Sequence, residues 1–392
     1  MKVAGLNNYQ LKNNKILSLF SGGGFLDIGF MNEGFQISEA IENTNDFVKA
    51  YNEGISSYVK KSQKKIFVEK IVTHINIESP QDASNVTLQN KLRKTHNGIT
   101  GIIGGPPCQD FSVAGLNRGA EGDRGKLIFT YLDIVKKIKP SFIFFENVPG
   151  LININHRVGF FELLEELNKD YQVWYEVLNP LDLGMPQDRP RLALVGFKKN
   201  LVKKLLKAGY KFLLEKTDAD PDDLIFRWPK KKFLKPKAIE WPRTWNVGES
   251  VIQSDIDKIP EEYKCLTVGN AFIGLNEKTP NQQEHFIPYS DRFNHLLEGD
   301  TSKKSYKKLH RYRYSPTVAY GNNEVHIHPT EKRRLTVREA LRLQTVSDNY
   351  VLPKDMSLSS KFKIIGNGVP SKKAELIAKE IKRTLELYES IV

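Results

Sequence analysis

Residues 141–148 read SFIFFENV, and Phe142, Ile143, Phe144 and Phe145 put apolar side chains on both alternating faces of an extended segment. Such a strand is stable only with both faces covered, as in sheets flanked by helices on either side. The rest of the first half fits that arrangement. KILSLF (15–20), ISEAIE (37–42), GITGIIGG (98–105), QVWYEVLN (172–179) and RLALVGF (191–197) read as further strands. Helical patterns lie between them: FLDIGFMNEGF, TNDFVKAYNEG with an expected stop at Gly54, KLIFTYLDIVKKIK (126–139) stopping at Pro140, and one at about 159–169. In KLIFTYLDIVKKIK, Leu127, Ile128, Tyr131, Leu132, Val135 and Ile138 share one helical face. Strand–helix alternation over residues 1–197 predicts an α/β domain with helices on both sides of its sheet.

After Phe197 the regularity ends. Residues 198–325 are rich in Lys, Pro, Trp and Asn without a sustained period, and predict a second, irregular domain inserted into the first. Periodicity returns in RRLTVREALRLQ (333–344) and SKKAELIAKEIKRTLELYESIV (371–392). In the latter, Ala374, Ile377, Ala378, Ile381, Leu385 and Tyr388 form one stripe, for which the first domain's sheet is the expected partner.

The formal charge of +13 calls for a polyanionic partner. Residues 198–245 hold fourteen Lys or Arg against six Asp or Glu, and KKSYKKLHRYR (303–313) holds six and no acid, with Tyr306 and Tyr312 interleaved. Both segments are candidates for a nucleic-acid surface. No run of about 18 apolar residues exists, which excludes a spanning helix. The opening MKVAGLNNYQLKNNK lacks an apolar signal core. Two distant cysteines, Cys108 and Cys265, make no disulfide framework and suit a reducing cytoplasm. His326 and His328 lack ligand-spaced cysteines or carboxylates, so no metal is expected.

Four stretches carry candidate chemistry. FSGGG (20–24) places glycines directly after the first strand, where a backbone can approach a ligand closely; nicotinamide, flavin and S-adenosylmethionine sites all use such a turn. Glu42, closing the second strand about twenty residues on, adds the acid that typically binds ribose hydroxyls, so an adenosine-type cofactor is expected. GGPPCQDFS (104–112) sets Cys108 behind Pro106 and Pro107, which remove two backbone donors and stiffen the exit from a strand. Such a segment serves either as a plain turn with an incidental thiol or as the mount of a reactive one. ENVPG (146–150) places Glu146 at the rim of a buried strand, where a carboxyl can hold or donate a proton. PQDRPRLALVG (186–196) supplies Arg189 and Arg191, two apart on an extended chain and therefore pointing the same way, toward one anion or one base edge.

FSGGG, Glu42, GGPPCQDFS, ENV, Gln187–Arg189–Arg191, RRLTVREALRLQ and GNGVP (366–370) stand in one order along nearly the whole chain. In this the chain resembles the bacterial cytosine-5 DNA methyltransferases of restriction–modification systems. The resemblance implies a Rossmann-like S-adenosylmethionine methyltransferase sheet in residues 1–197, a smaller target-recognition domain in 198–325, and a C-terminal segment, 326–392, returning to the catalytic domain. It implies Cys108 as nucleophile at cytosine carbon-6, Glu146 holding the exocyclic amine and ring nitrogen-3, Arg191 at the base carbonyl, and Arg189 at backbone phosphate. It assigns cofactor contacts to Phe20, Ser21, Gly22, Gly24, Phe25, Glu42, Asn43, Asn76, Ile77, Pro106, Asn367 and Val369. DNA contacts fall to Gln109, Ser112, Arg124 and Thr267, and Arg333 and Glu339 become scaffold. Double-stranded DNA is the implied partner of a monomeric cytoplasmic enzyme associated with the nucleoid.

The chain departs from that pattern at Ser18 and Asn76, where aspartates are usual, and at VSD (346–348) in place of Phe-Pro-Asp. An RNA-acting relative with the same core and a non-catalytic DNA-binding relative are the alternatives. The long irregular middle favours a duplex reader, and the intact Cys108, Glu146 and Arg191 favour catalysis. Cys265 lacks such a setting and reads as an ordinary cysteine.

Overall fold

The computed structural model describes residues 11–62, 81–107, 125–153, 157–212, 220–246, 252–288, 291–303, 305–318, 320 and 325–392. A six-stranded sheet is built from β1 (Lys15–Leu19), β2 (Gln36–Ile41), β3 (Gly101–Gly104), β4 (Phe142–Asn147), β5 (Tyr171–Leu178) and β6 (Arg191–Lys198). Its order is β2-β1-β3-β4-β6-β5; the first four strands run parallel, and β6 is antiparallel to both β4 and β5.

The two-sided strands do what their composition predicts. Ile16, Ile103, Phe142, Phe144 and Val195 join the core on one face, while Leu17, Ile102, Ile143, Phe145 and Leu194 join the core on the other. The first face is covered by α1 (Phe25–Asn32), α2 (Asn45–Lys61), α6 (Lys199–Lys207), α10 (Leu358–Asn367) and α11 (Ser371–Glu389). The second is covered by α3 (Val86–Thr95), α4 (Gly125–Ile138) and α5 (Arg157–Asp170). Short helices α7 (Gln253–Ile256), α8 (Val268–Phe272) and α9 (Val337–Leu343) and the strand pair β7 (Lys307–Lys308) and β8 (His326–Ile327) complete the elements used below. Among the described residues no helix is long and apolar enough to cross a membrane.

The C-terminal stripe is buried in the first domain as expected, but its close contact is with α1 and not with a strand. Ala374, Ile377, Ala378 and Ile381 are fully buried in the first-face core. Each large aliphatic side chain so buried contributes about 1.5–3 kcal/mol, which anchors the helix without help from caps. Contact with α1 is backbone-close: a Cβ on Gly29 would lie 2.4 Å from the Ala374 Cβ.

Two expectations change. Gly54 does not stop a helix; α2 runs through it to Lys61. The glycine is there because the Tyr350 ring lies against it, with the phenolic carbon 2.1 Å from where a Cβ would stand. The irregular region also begins later than residue 198, since α6 buries Leu201, Val202 and Leu205 in the first-face core, and Ile225 and Phe226 join them. A small separate cluster of Leu181, Phe233 and Leu266, flanked by Trp241, Tyr263 and Tyr314, marks where the middle of the chain builds packing of its own.

Candidate active site

The carboxyl ends of β1, β2, β3 and β4 border a cleft of about 520 Å³. It is lined by Phe20, Ser21, Gly22, Phe25, Glu42, Asn43, Pro106, Glu146, Arg189, Arg191, Asn367 and Val369, all expected at the site, and by Gly23, Asn147, Val148 and Gly368, for which no individual role was expected. Cys108, Gln109, Ser112, Arg124, Asn76 and Ile77 lie outside the described residues.

One side of the cleft is a glycine turn held by a carboxylate. After β1 the backbone turns left-handed at Phe20 (φ 55°), Gly22 (φ 54°) and Gly24 (φ 80°). Gly22 has open space where a side chain would stand, so its backbone faces the cleft. Gly24 does not line the cleft; it caps α1, and a Cβ there would meet Ile55 and Tyr51 at 2.8 and 2.9 Å. Glu42, 7% exposed, accepts the Gly22 N–H on Oε2 and the Asn43 and Thr44 N–H groups on Oε1, each at 3.0 Å. Three charge-assisted bonds fix that carboxylate and leave acceptor capacity for hydroxyls entering the cleft. The donor and acceptor set thus fits an adenosine sugar edge. Replacing Glu42 by alanine is expected to weaken S-adenosylmethionine binding about 10- to 100-fold, the cost of losing charge-assisted hydrogen bonds. Isothermal titration with S-adenosylmethionine checks this.

Beneath the turn, Ser18 donates to Asp27 Oδ1 and the Tyr51 hydroxyl donates to Oδ2, each at 2.7 Å. Ser18 thus serves as a partner of the buried Asp27, which does not line the cleft. Burial pushes Asp27 up to about 6, against the pull of the Tyr51 and Ser18 hydroxyls.

The other side belongs to β4 and β6. Because β6 is antiparallel, its first residues stand beside the last residues of β4: Glu146 pairs with Ala193 and Asn147 with Leu192. Arg191 Nε thereby comes within 3.9 Å of Glu146 Oε1, with both side chains largely buried. Glu146 Oε1 has no hydrogen-bond partner among the described residues. Asn147 donates from Nδ2 to the Pro106 carbonyl at 3.1 Å, tying the Pro-Pro segment to the strand that carries Glu146.

Arg189 takes a different part from the one expected. Its guanidinium is 2% exposed and points inward, donating to the carbonyls of Val318 and of Gly366, the latter at 2.7 Å. Burial, with Arg191 adding and Glu146 opposing, pushes it down to about 9. Placed so, it ties the chain before β6 to the end of α10, and the phosphate contact does not fit its position. Thr267 does not reach outward either: it is 5% exposed, donates to the Lys264 carbonyl and accepts the Asn270 N–H as the cap of α8. In 303–313, Lys308 donates to the Leu296 carbonyl and Arg311 grips Glu298 through two bonds of 3.0 and 2.8 Å, so much of that charge serves the fold. The lysines at 230–237 are differently placed. Phe233 and Pro236 are buried while Lys230, Lys231, Lys232, Lys235 and Lys237 stay exposed, and the Lys232 and Phe233 N–H groups donate to the Asp182 carbonyl. That pins the loop beside the turn leading to Arg189 and Arg191.

The profile of the C-5 cytosine-specific DNA methylase family matches residues 14–383. The type II methyltransferase M.NmeDI of Neisseria meningitidis serogroup C is 39% identical over 381 residues, covering 96% of this chain and 85% of that protein. M.FnuDI of Fusobacterium nucleatum is 30% identical, with 96% of each chain covered. A solved Spodoptera frugiperda DNMT2 variant superposes with a TM-score of 0.58 over 95% of this chain and all of that one; at 16% identity this is a likeness of fold. With the sheet, the cleft and most of the last helix inside the matched span, the chain belongs to the C-5 cytosine-specific DNA methylase family and is a DNA (cytosine-5)-methyltransferase.

Proposed function

We propose that the enzyme methylates a cytosine flipped out of duplex DNA, using Cys108 as nucleophile and Glu146 and Arg191 as the groups that grip the base. The observation that carries this reading is the meeting of Glu146 and Arg191 at 3.9 Å on the wall of a cleft whose opposite side is the Gly22–Glu42 turn. Covalent continuity leaves Cys108 one peptide beyond Pro107, which lines the same cleft.

Cytosine carbon-5 is a poor nucleophile. The Cys108 thiolate adds to carbon-6, and the electron pair of the broken carbon-5–carbon-6 double bond moves into the ring as Glu146 supplies a proton at nitrogen-3. Arg191 donates to the base carbonyl and holds the ring in register. S-adenosylmethionine would be held by Phe20, Gly22, Glu42 and Asn367 and would supply the methyl group for carbon-5, leaving as S-adenosylhomocysteine, while the nitrogen-3 proton returns to Glu146. Removal of the carbon-5 proton by a base then restores the carbon-5–carbon-6 double bond and expels the Cys108 thiolate. Attack at carbon-6 and methylation at carbon-5 need access to the faces of the ring, which stacking covers, so the base is extruded. The biological setting is the bacterial cytoplasm, with the enzyme acting as a monomer on chromosomal DNA and protecting it from a cognate endonuclease.

Methyl transfer from labelled S-adenosylmethionine to duplex DNA and to tRNA, measured in parallel, tests the substrate. Labelled DNA with silent tRNA is expected, and the reverse overturns the reading. Bisulfite sequencing of DNA from expressing cells then gives the target site.

Specific binding is expected to weaken steeply with salt, by about 0.9 in log K per log salt for each neutralised phosphate. Converting Lys230, Lys232 and Lys235 together to glutamine should lower that slope by about 2–3. The same change at Lys199, Lys203 and Lys207 should leave it unaltered, because α6 starts from the far end of β6, beside the first residues of β4 and β5 and away from the strand ends that border the cleft. Fluorescence anisotropy across a salt series distinguishes the two sets.

A further inference from the structure

Gly22, Gly23 and Gly24 are three consecutive residues with the backbone freedom of glycine, and the first and last of them are left-handed. Such a turn keeps one shape only where its peptide groups are held from outside. One side is tied to the end of β2: Glu42 accepts the Gly22 N–H, and the Ser21 N–H donates to the Ile41 carbonyl at 3.1 Å. The other side is held by a residue 327 positions away, Tyr350, whose hydroxyl donates to the Gly23 carbonyl at 2.8 Å. The Ala50 carbonyl of α2 lies 3.2 Å from the same hydroxyl.

Tyr350 is fully buried and does not line the cleft, yet it touches two residues that do. One is Gly23, wedged so closely that a Cβ would stand 2.6 Å from Ile364 of α10 and 3.2 Å from the Tyr350 hydroxyl. The other is Phe25, whose ring meets the Tyr350 ring edge-on with centroids 5.3 Å apart. Tyr350 is itself firmly seated. Its N–H donates to the Ser347 carbonyl at 3.0 Å, and its carbonyl accepts Nη2 of the buried Arg338 at 2.6 Å. The next residue, Val351, donates its N–H to Ser57 Oγ of α2 at 2.9 Å.

We propose that Tyr350 is a positioning residue for S-adenosylmethionine binding, its hydroxyl fixing the Gly23 peptide so that the turn meets the cofactor already shaped. The proposal rests on the assignment of the Gly22–Glu42 turn to S-adenosylmethionine. Without the hydroxyl the Gly23 carbonyl, at the border of the cleft, is free to turn to water, and the cost of ordering the turn is then met on binding. Phenylalanine keeps the ring against Gly54 and Phe25 and removes only the hydroxyl.

The test compares Tyr350→Phe with Tyr171→Phe, which also loses a buried hydroxyl, one that donates to the Pro140 carbonyl at 2.9 Å where β5 begins beside Lys198, away from the cleft. Isothermal titration of each free enzyme with S-adenosylmethionine is made well below the melting temperatures, with Glu42→Ala alongside. Tyr350→Phe should bind about 3- to 10-fold more weakly, the range for one neutral hydrogen bond. In steady-state transfer to duplex DNA its KM for S-adenosylmethionine should rise by the same factor, with kcat and the KM for DNA nearly unchanged. Tyr171→Phe should melt at a lower temperature than the wild type and bind with unchanged affinity. Wild-type affinity in Tyr350→Phe, with binding weakened in Glu42→Ala, overturns the proposal alone. Equal weakening in both tyrosine variants also overturns it, since the loss then comes from general loosening of the fold. Wild-type affinity in Glu42→Ala overturns the assignment of the turn itself.

Discussion

Replacing Cys108 by serine is expected to abolish methyl transfer, by about 10³-fold or more, while S-adenosylmethionine binding stays intact. A serine hydroxyl at neutral pH is a far weaker nucleophile than a thiol, which already carries some thiolate, so carbon-6 goes unattacked and carbon-5 is never activated. Cofactor affinity survives because Gly22 and Glu42, on the far wall of the cleft, are untouched. Cys265→Ser is the matching control. That thiol donates to the Glu262 carbonyl beside the Leu266 cluster, away from the cleft, and its loss should leave turnover unchanged. Oligonucleotides carrying 5-fluorocytosine should form a covalent adduct with the wild type and with Cys265→Ser but not with Cys108→Ser. Near-normal turnover by Cys108→Ser would refute the mechanism.

The second large effect concerns stability. Glu339 is 2% exposed and receives two bonds of 2.8 Å from Arg333, the Thr336 N–H at 2.8 Å as half of a capping box for α9, and the Gln282 amide at 3.2 Å. It therefore ties the 280s segment, the Arg333 turn and α9 at one point. Glu339→Ala removes the buried partner of Arg333, leaving only the exposed Glu331, and takes away half of the capping box while Thr336 still caps the helix; it is expected to cost about 2–3 kcal/mol in urea unfolding. Burial alone would raise the Glu339 pKa, but the Arg333 bonds and the His328 charge outweigh it and hold it below the ordinary value. A carboxyl with a depressed folded-state pKa stabilises the fold above its unfolded value, near 4.5, and that stability disappears as pH falls through the folded one. The difference between wild type and Glu339→Ala should accordingly narrow in acid. A pH-independent difference, or one below about 1 kcal/mol, would show that Arg333 and Glu339 are not the tie described.

Much of this was legible residue by residue. SFIFF could be stable only between two helical layers, and the C-terminal stripe needed an apolar partner in the first domain, which α1 supplies. Glycines after β1, an acid closing β2 and an acid closing β4 all mark carboxyl ends of neighbouring strands, where a sheet of this kind opens a cleft. Gly54 was misread because a glycine in a helical pattern serves equally as a stop and as a seat for a ring from elsewhere. Nothing local announces Tyr350, which is nearly three hundred residues away. Arg189 was misread for the same reason, since the Val318 and Gly366 carbonyls that claim it come from distant segments, whereas Thr267 is taken up locally as the cap of α8.

The sequence by itself determined that the glycine turn, Glu42 and Glu146 sit at strand ends, because period-two apolar patterns and glycine turns are local properties. It could not determine that Arg191 meets Glu146. RLALVGF has the same alternation whichever way the strand runs, and only the antiparallel seating of β6 beside β4 brings the start of one to the end of the other.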